Sequence, residues 1–371
     1  DLPFYQVQGD KEQYAPQVGK YFDGTNWFPY LLDGGRETFT NNDLWLTQGL
    51  TLTPLNGLKI IGSYSHNAFL REYKDVQSKV DVVSTDLRNP RPISNGFSGD
   101  DWVRNESRIN RYNVLNIYGD YTFPFLPKKH GLTLLAGFNQ ESANFRYTGA
   151  RARGLITPLI PNIGATIGNQ ETFGSEEHFS LRGVFYRLAY NFDERYLLEF
   201  NGRYDGSSRF PTESRFGFFP SVSAGWRISE ESFMKDVSWL SNLKLRASYG
   251  TLGNQTLRDG GREEYYPYLA TFGAGRAPYQ FGSGMIPIVA APGLVSPALT
   301  WETVVSQNIG LDVSLWNNKL DASFDLYTRD TKNMLMNVAY PDLLGTNAPK
   351  ENAADLRTEG WEASITWKDS K

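Results

Sequence analysis

Between Phe179 and Gly253, apolar and polar side chains alternate through four consecutive runs. In the second run, Tyr196, Leu198, Phe200, Gly202 and Tyr204 share one parity, and Arg195, Leu197, Glu199, Asn201, Arg203 and Asp205 the other. In the third, Phe218, Pro220, Val222, Ala224, Trp226 and Ile228 stand opposite Ser221, Ser223, Gly225 and Arg227. In the fourth, Leu243, Leu245, Ala247 and Tyr249 stand opposite Lys244, Arg246 and Ser248. Successive strand residues point to opposite faces, so each run predicts a strand with one apolar and one wet side. A soluble sandwich or barrel has such strands. So does a barrel with lipid outside and a polar lumen. Alternation alone leaves both open.

The breaks between runs separate them. Strand-like segments at Leu44–Thr53 and Leu58–Leu70, Tyr112–Phe123 and Leu132–Tyr147, Phe179–Tyr190 and Arg195–Asp205, Phe216–Ile228 and Asn242–Gly250, and Val304–Leu315 and Lys319–Arg329 form hairpins. Gly360–Trp367 is a last strand. Gly, Pro, Asn and Asp at the hairpin breaks are ordinary turn chemistry. The other connections are mostly longer: Arg71–Arg111, Thr148–His178, Gly206–Arg215, Thr251–Thr303 and Asp330–Glu359. Short turns at one end and long loops at the other are the asymmetry of an outer-membrane barrel. The fold class predicted is therefore all-β, a section of an antiparallel transmembrane β-barrel with eleven strands. Tyr14–Leu32 would be a twelfth, weakened by Gly24, Pro29 and Gly34-Gly35.

Composition fits this picture. The 371 residues carry 37 basic and 41 acidic side chains, and 37 − 41 gives −4, with no basic field to attract nucleic acid. There is no cysteine, hence no disulfide framework or thiol nucleophile. The 21 Tyr, 23 Phe and 9 Trp would supply the aromatic girdles of a barrel, although sugar-binding proteins are also rich in rings. No apolar run reaches the roughly 20 residues of a membrane helix. The start, Asp1-Leu2-Pro3-Phe4, lacks the pattern of a signal peptide, so the chain reads as mature or as a piece of a longer protein.

Tyr204-Asp205-Gly206-Ser207-Ser208-Arg209-Phe210, Phe219-Pro220-Ser221-Val222-Ser223-Ala224-Gly225-Trp226-Arg227-Ile228-Ser229-Glu230-Glu231, Phe233-Met234-Lys235 and Leu240–Gly250 follow in close order. This stretch resembles the SusC/RagA family of TonB-dependent outer-membrane transporters of Bacteroidetes. Trp301-Glu302 with Asn308–Asp312, then Tyr327, Thr331 and Leu335, and Glu359-Gly360-Trp361-Glu362 look like two further blocks. The resemblance implies a barrel of about 22 strands plugged by an N-terminal domain. It also implies a SusD-like lipoprotein lid, energy from TonB with ExbB and ExbD, a Gram-negative outer-membrane location, and glycan or peptide cargo. Residues 1–371 would then all be barrel, without the plug, the TonB-contact segment or the closing strands. The competing readings are a passive porin or adhesin-like barrel and a secreted all-β glycan-binding protein or glycosidase.

Enzyme chemistry has little to rest on. A glycosidase needs two carboxylates across a cleft. Glu176-Glu177, Glu230-Glu231 and Glu263-Glu264 read instead as solvated loop acids. His66, His130 and His178 lack paired metal-ligand spacing, and no cofactor is implied. Gly273–Arg276 and Gly282-Ser283-Gly284 join no predicted helix, so they are not phosphate loops. Ser207-Ser208 has no nucleophile-elbow context. The expected contacts for cargo or lid lie in the long loops. They are Arg262, Tyr265, Tyr266, Tyr268, Phe272, Arg276, Tyr279 and Phe281 in one, with Trp102 and Arg104 in another. These rings could equally pack the loop against its neighbours. Phe233, Met234, Val237 and Leu240 predict a short amphipathic helix in the turn Ser229–Ser241.

Overall fold

The computed structural model describes residues 31–32, 34–79, 101–259, 261–276, 286–337 and 349–368, with backbone alone at Asp259, Arg276 and Asn337. It also gives the backbone of four short strands, Tyr5–Gln8, Lys11–Tyr14, Val82–Val83 and Pro92–Ile93. Most of the doubtful twelfth strand lies outside the described residues.

Eleven strands form one sheet. They are β1 (Gly35–Leu55), β2 (Leu58–Gln77), β3 (Trp102–Thr122), β4 (His130–Arg153), β5 (Gln170–Phe192), β6 (Tyr196–Ser207), β7 (Phe216–Arg227), β8 (Leu240–Asn254), β9 (Glu302–Leu315), β10 (Leu320–Asn337) and β11 (Lys350–Trp367). Each pairs with the strand before and after it in sequence, an up-and-down meander. The order begins at β1 and ends at β11, which do not pair, so the sheet is an open section of a barrel.

The register turns the sequence alternation into two surfaces. Leu198, Ala224, Ala247, Ile309, Leu326 and Trp361 are cross-strand partners in one continuous row. One residue along, Glu199, Ser223, Ser248, Asn308 and Tyr327 form the polar row of the other face. A one-residue slip would exchange the two rows, so the register is strongly specified once one face meets lipid. The apolar face is uncovered: Ile309, Trp361 and Ile365 are 59%, 68% and 76% exposed. From Phe218 to Trp226 is eight residue steps, about 26 Å of strand, or about 20 Å of height at a typical tilt, close to the roughly 25 Å apolar band of such barrels. Ring pairs mark both borders. Tyr196 stacks on Trp226 at 6.5 Å and Trp316 meets Trp367 at 6.2 Å at the tight-turn end. Tyr204 stacks on Phe216 at 5.2 Å at the other.

The tight turns are where the sequence places them. Asp193 and Glu194, and Trp316, Asn317 and Asn318, take left-handed backbone angles. Gly57 has φ +86, and a Cβ there would lie 2.2 Å from the Thr122 carbonyl oxygen. The long connections differ from expectation. β1 starts at Gly35 rather than Leu44, β4 runs to Arg153, and β11 begins at Lys350. Beyond the apolar band both faces are wet, so alternation ends while backbone pairing continues. The turn after β7 also differs. It holds two single 3-10 turns, Ile228–Glu230 and Ser232–Met234, split by extended Glu231, in place of an amphipathic helix. Phe233 there is 65% exposed.

The chain divides into two compact units. One comprises Asp1–Leu46, His66–Tyr112 and Asn144–Glu177, and the other Thr47–Ser65, Asn113–Ala143 and His178–Lys371. The first has a small core of Val103, Ala152 and Leu155 against Val76 and Ile163. The second has a core of Phe210, Leu257, Leu299 and Trp301, with Leu181, Phe219, Tyr268 and Leu335 around it. The second core joins the β6–β7 loop to the long β8–β9 connection.

Candidate functional site

In the second unit the outer loops are built around Asp205–Phe210. Arg203 donates two hydrogen bonds of 2.9 Å to the Asp205 carboxylate. Asp205 fits because β5 carries Gly183 beneath it, where a Cβ would sit 1.8 Å from its Oδ1. The buried Ser207 hydroxyl accepts the Arg209 N–H at 3.2 Å, and Ser208 Oγ accepts the Ser180 N–H at 2.9 Å. This local turn drives Arg209 and Phe210 inward. Arg209 Nη2 donates to Glu263 at 2.7 Å, and its Cζ lies 4.9 Å from both the Phe179 and Tyr265 ring centres. Phe210 is fully buried, 5.3 Å from Trp301, whose indole N–H donates to the Arg215 carbonyl at 3.0 Å. Lys350 at the start of β11 donates to Glu264 at 2.8 Å.

The expected contact residues divide accordingly. Tyr265 stacks on Phe179 at 5.6 Å. The Tyr266 hydroxyl bonds His178 Nδ1 and accepts the His178 N–H at 3.1 Å. Tyr268 packs on the Phe210–Trp301 core. Arg262 and Phe272 are exposed. Arg276 ends the short strand Gly273–Arg276, and Tyr279 and Phe281 lie outside the described residues. In the first unit, Trp102 lies 5.9 Å beneath Arg151. Arg104 pairs with Glu106, donates to the Tyr147 hydroxyl at 3.3 Å and lies 5.2 Å from the Phe173 ring.

Sequence reasoning missed Arg209, Phe210 and Trp301 as the fixed points of this region. The available signal was an Arg-Phe pair inside a loop that polar composition alone would leave mobile. Because Arg209 works through a planar fork and ring stacking, Arg209→Lys keeps the charge but loses both. Chymotryptic cleavage at Tyr265–Tyr268 should rise about 5- to 30-fold, the factor for 1–2 kcal/mol.

The polar face of the second unit carries a groove of about 750 Å³, lined by Phe185, Arg187, Asn201, Arg203, Ser221 and Ser248 among others. Its charges are matched within the wall. Arg187 donates to Glu199 at 2.9 Å. Nearby, Arg246 is held in bidentate fashion by Asp312 at 2.8 and 2.9 Å and by Asp325 at 3.0 Å. The paired charges leave this surface close to locally neutral.

The loop acids do more than solvate. Glu176 pairs with Arg146, Glu230 with Arg227, Glu263 with Arg209 and Glu264 with Lys350. Glu231 is buried and accepts from the Tyr196 hydroxyl at 2.6 Å, the Trp226 indole at 3.1 Å and Arg195 at 3.3 Å. It thereby ties the girdle rings to the turn. The Tyr196 hydrogen bond, then that of Trp226, holds its carboxyl below the ordinary value of 4.5. A carboxyl depressed in the folded state stabilises above its unfolded pKa, and that contribution is lost as pH falls through the folded value. Glu231→Gln should therefore lower the urea midpoint at pH 7, and the gap to wild type should close as pH drops below 4.5. His130 Nδ1 bonds the Tyr190 hydroxyl at 2.8 Å. Among the described residues no group of three or more His, Asp or Glu side chains is placed to hold a metal ion.

A family model described as TonB dependent receptor-like, beta-barrel matches residues 3–370. TonB-dependent receptor SusC of Bacteroides thetaiotaomicron is 37% identical over 347 residues, covering 77% of this chain and 32% of the relative. TonB-dependent receptor P39 of Formosa agariphila is 33% identical over 242 residues, covering 65% of this chain and 22% of the relative. The chain thus spans a third or less of these relatives. Among solved structures, the RagAB peptide transporter matches all of this chain and 38% of its own, with TM-score 0.79 and 21% identity. The same importer in its 'closed-closed' state gives 0.80. At that identity the likeness is one of fold.

Proposed function

The chain belongs to the family of TonB-dependent receptor β-barrels, and from that premise we propose that it is the wall of an outer-membrane importer driven by TonB with ExbB and ExbD. The observation that carries the reading is the family match over residues 3–370 on a sheet whose apolar face is continuous and uncovered. Relatives named for SusC and for a RagAB transporter support a SusD-like lipoprotein as the partner at the outer mouth. The cargo class is glycan or peptide. The groove's serine hydroxyls, its paired charges and the Phe185 and Phe219 rings together favour a neutral oligosaccharide. Phe272 and Arg262, being exposed, are the first choices for contact with cargo or lid, with Arg276, Tyr279 and Phe281 beside them in sequence. Trp102 and Arg104 are second choices in the other unit.

Growth on single polymers tests this reading. Deleting the intact gene should abolish growth on one glycan or peptide source, and removing TonB should reproduce that loss. Uptake that survives without TonB would show a passive pore instead. A protein that stays soluble and monomeric without detergent would remove the membrane reading altogether.

A further inference from the structure

The turn between β3 and β4 gathers cations. Residues 121–131 hold Lys128, Lys129 and His130 and no Asp or Glu. Pro124 and Pro127 fix φ at two places in the turn. The His130 N–H donates to the Pro127 carbonyl at 2.8 Å, and the Phe123 N–H to the Leu132 carbonyl at 3.1 Å. The Asp193 N–H donates to the Lys129 carbonyl at 2.6 Å, which ties the turn to its neighbour. A turn already ordered loses little freedom when it binds.

Rings lead from the apolar face to these cations. A Cβ at Gly137 would lie 2.4 Å from the Tyr118 Cβ and 2.7 Å from the Phe185 ring, and Phe185 belongs to the polar face with its partner Arg203. Tyr118 is therefore on that face, and Ile117, Tyr121 and Phe123 are on the apolar one. Tyr121 meets Phe123 at 4.5 Å, and Phe123 meets Phe125, which is 71% exposed, at 5.7 Å. Beside them His130, Phe192 and Tyr196 touch in series at 4.9 and 6.2 Å. Lys128 is exposed. Lys129 is 66% exposed and lies 3.5 Å from an Asp193 oxygen that Arg195 holds at 3.0 Å. Two cations thus share that one carboxylate, and the turn keeps a net positive charge.

We propose that Lys128 and Lys129 form a site for the phosphate of an anionic phospholipid in the leaflet at the tight-turn end; this rests on the outer-membrane reading above. Rings with basic anchors beneath them hold a lipid–water border. A phosphate diester placed there meets two ammonium groups, while its acyl chains follow the apolar face that begins at Phe123. Further barrel strands can pair only with the free edges of β1 and β11, and β3 and β4 lie between β2 and β5, so the rest of the wall does not cover this turn. A plug would lie on the polar face, away from these rings.

The test adds phosphatidylglycerol to the intact protein in mild detergent and counts bound lipid by native mass spectrometry. Lys128→Gln/Lys129→Gln should need about tenfold more lipid than wild type to reach the same occupancy. Lys128→Arg/Lys129→Arg should match wild type. Lys235→Gln/Lys319→Gln, which removes two charges elsewhere at the same end, should match it too. Equal binding by wild type and Lys128→Gln/Lys129→Gln leaves the lysines to solvent or a periplasmic protein, and overturns the site with the importer intact. Equal losses in the two Gln variants show a general charge effect and overturn it as well. Displacement of the lipid by millimolar inorganic phosphate shows a free-anion site and overturns the lipid one. Loss of heat-modifiable mobility in Lys128→Gln/Lys129→Gln assigns the lysines to folding and overturns the site. A wild-type protein that stays soluble without detergent overturns the membrane reading, and the site with it.

Discussion

Val222→Arg is expected to cost the intact protein about 2–4 kcal/mol of folding stability in bilayers, the penalty for a cation on the lipid face near mid-membrane. Val222 is bracketed in register by Phe200 on β6 and Tyr249 on β8, both of the same apolar surface. It lies four residues from Trp226 and four from Phe218. An Arg there cannot reach either border without dragging its charge across neighbouring side chains. Ser223→Arg, one residue along, should cost little, because that position lies in the polar row beside Glu199 and Ser248. Urea titration of vesicle-reconstituted protein, read by heat-modifiable mobility, measures both variants. Equal losses would mean that the two faces are not chemically distinct.

Phe210→Ala should be at least as damaging, but locally. Phe210 is fully buried beside Trp301, Leu257 and Leu299, and truncating a core Phe typically costs about 3–5 kcal/mol through lost transfer and the cavity left behind. The loss falls on the contact between the β6–β7 loop and the β8–β9 connection. Hydrogen exchange should show it as lost protection at the Glu264 amide, which donates to the Leu257 carbonyl at 3.0 Å. Amides of β6 between Tyr196 and Tyr204 should keep theirs. Uniform loss across both regions would mean that the loop core and the wall unfold as one unit.

The strands were legible wherever lipid imposes a two-residue period. Leu198, Phe200, Val222, Leu245 and Tyr249 all fall on the exposed apolar face that their parity predicts. The parity signal fades where solvent wets both faces, so the outer parts of β1, β4 and β11 read as loop although their backbones pair. Outer-loop anchoring was illegible for another reason. It joins residues far apart in sequence, such as Arg209 to Glu263 and Lys350 to Glu264, and no local period reports such pairs. The same holds for Glu231, which reads as one of two adjacent turn acids and proves to be the common acceptor for Tyr196, Trp226 and Arg195. Of the expected contact residues, the rings Tyr265, Tyr266 and Tyr268 turn out to have wall and core partners, which leaves Arg262 and Phe272 as the exposed pair.

One parity of this chain faces lipid and the other a wet lumen. The chain has no cysteine, so single-cysteine labels can be placed along β7 from Phe218 to Trp226 without a background from this segment. Spin labels on the intact protein in vesicles would be read for collision with oxygen, which partitions into lipid, and with a water-soluble nickel complex. A strict two-residue period is expected, with oxygen favoured at residues 218, 222, 224 and 226 and nickel at 219, 221, 223 and 225. A flat profile, or the opposite phase, would contradict it.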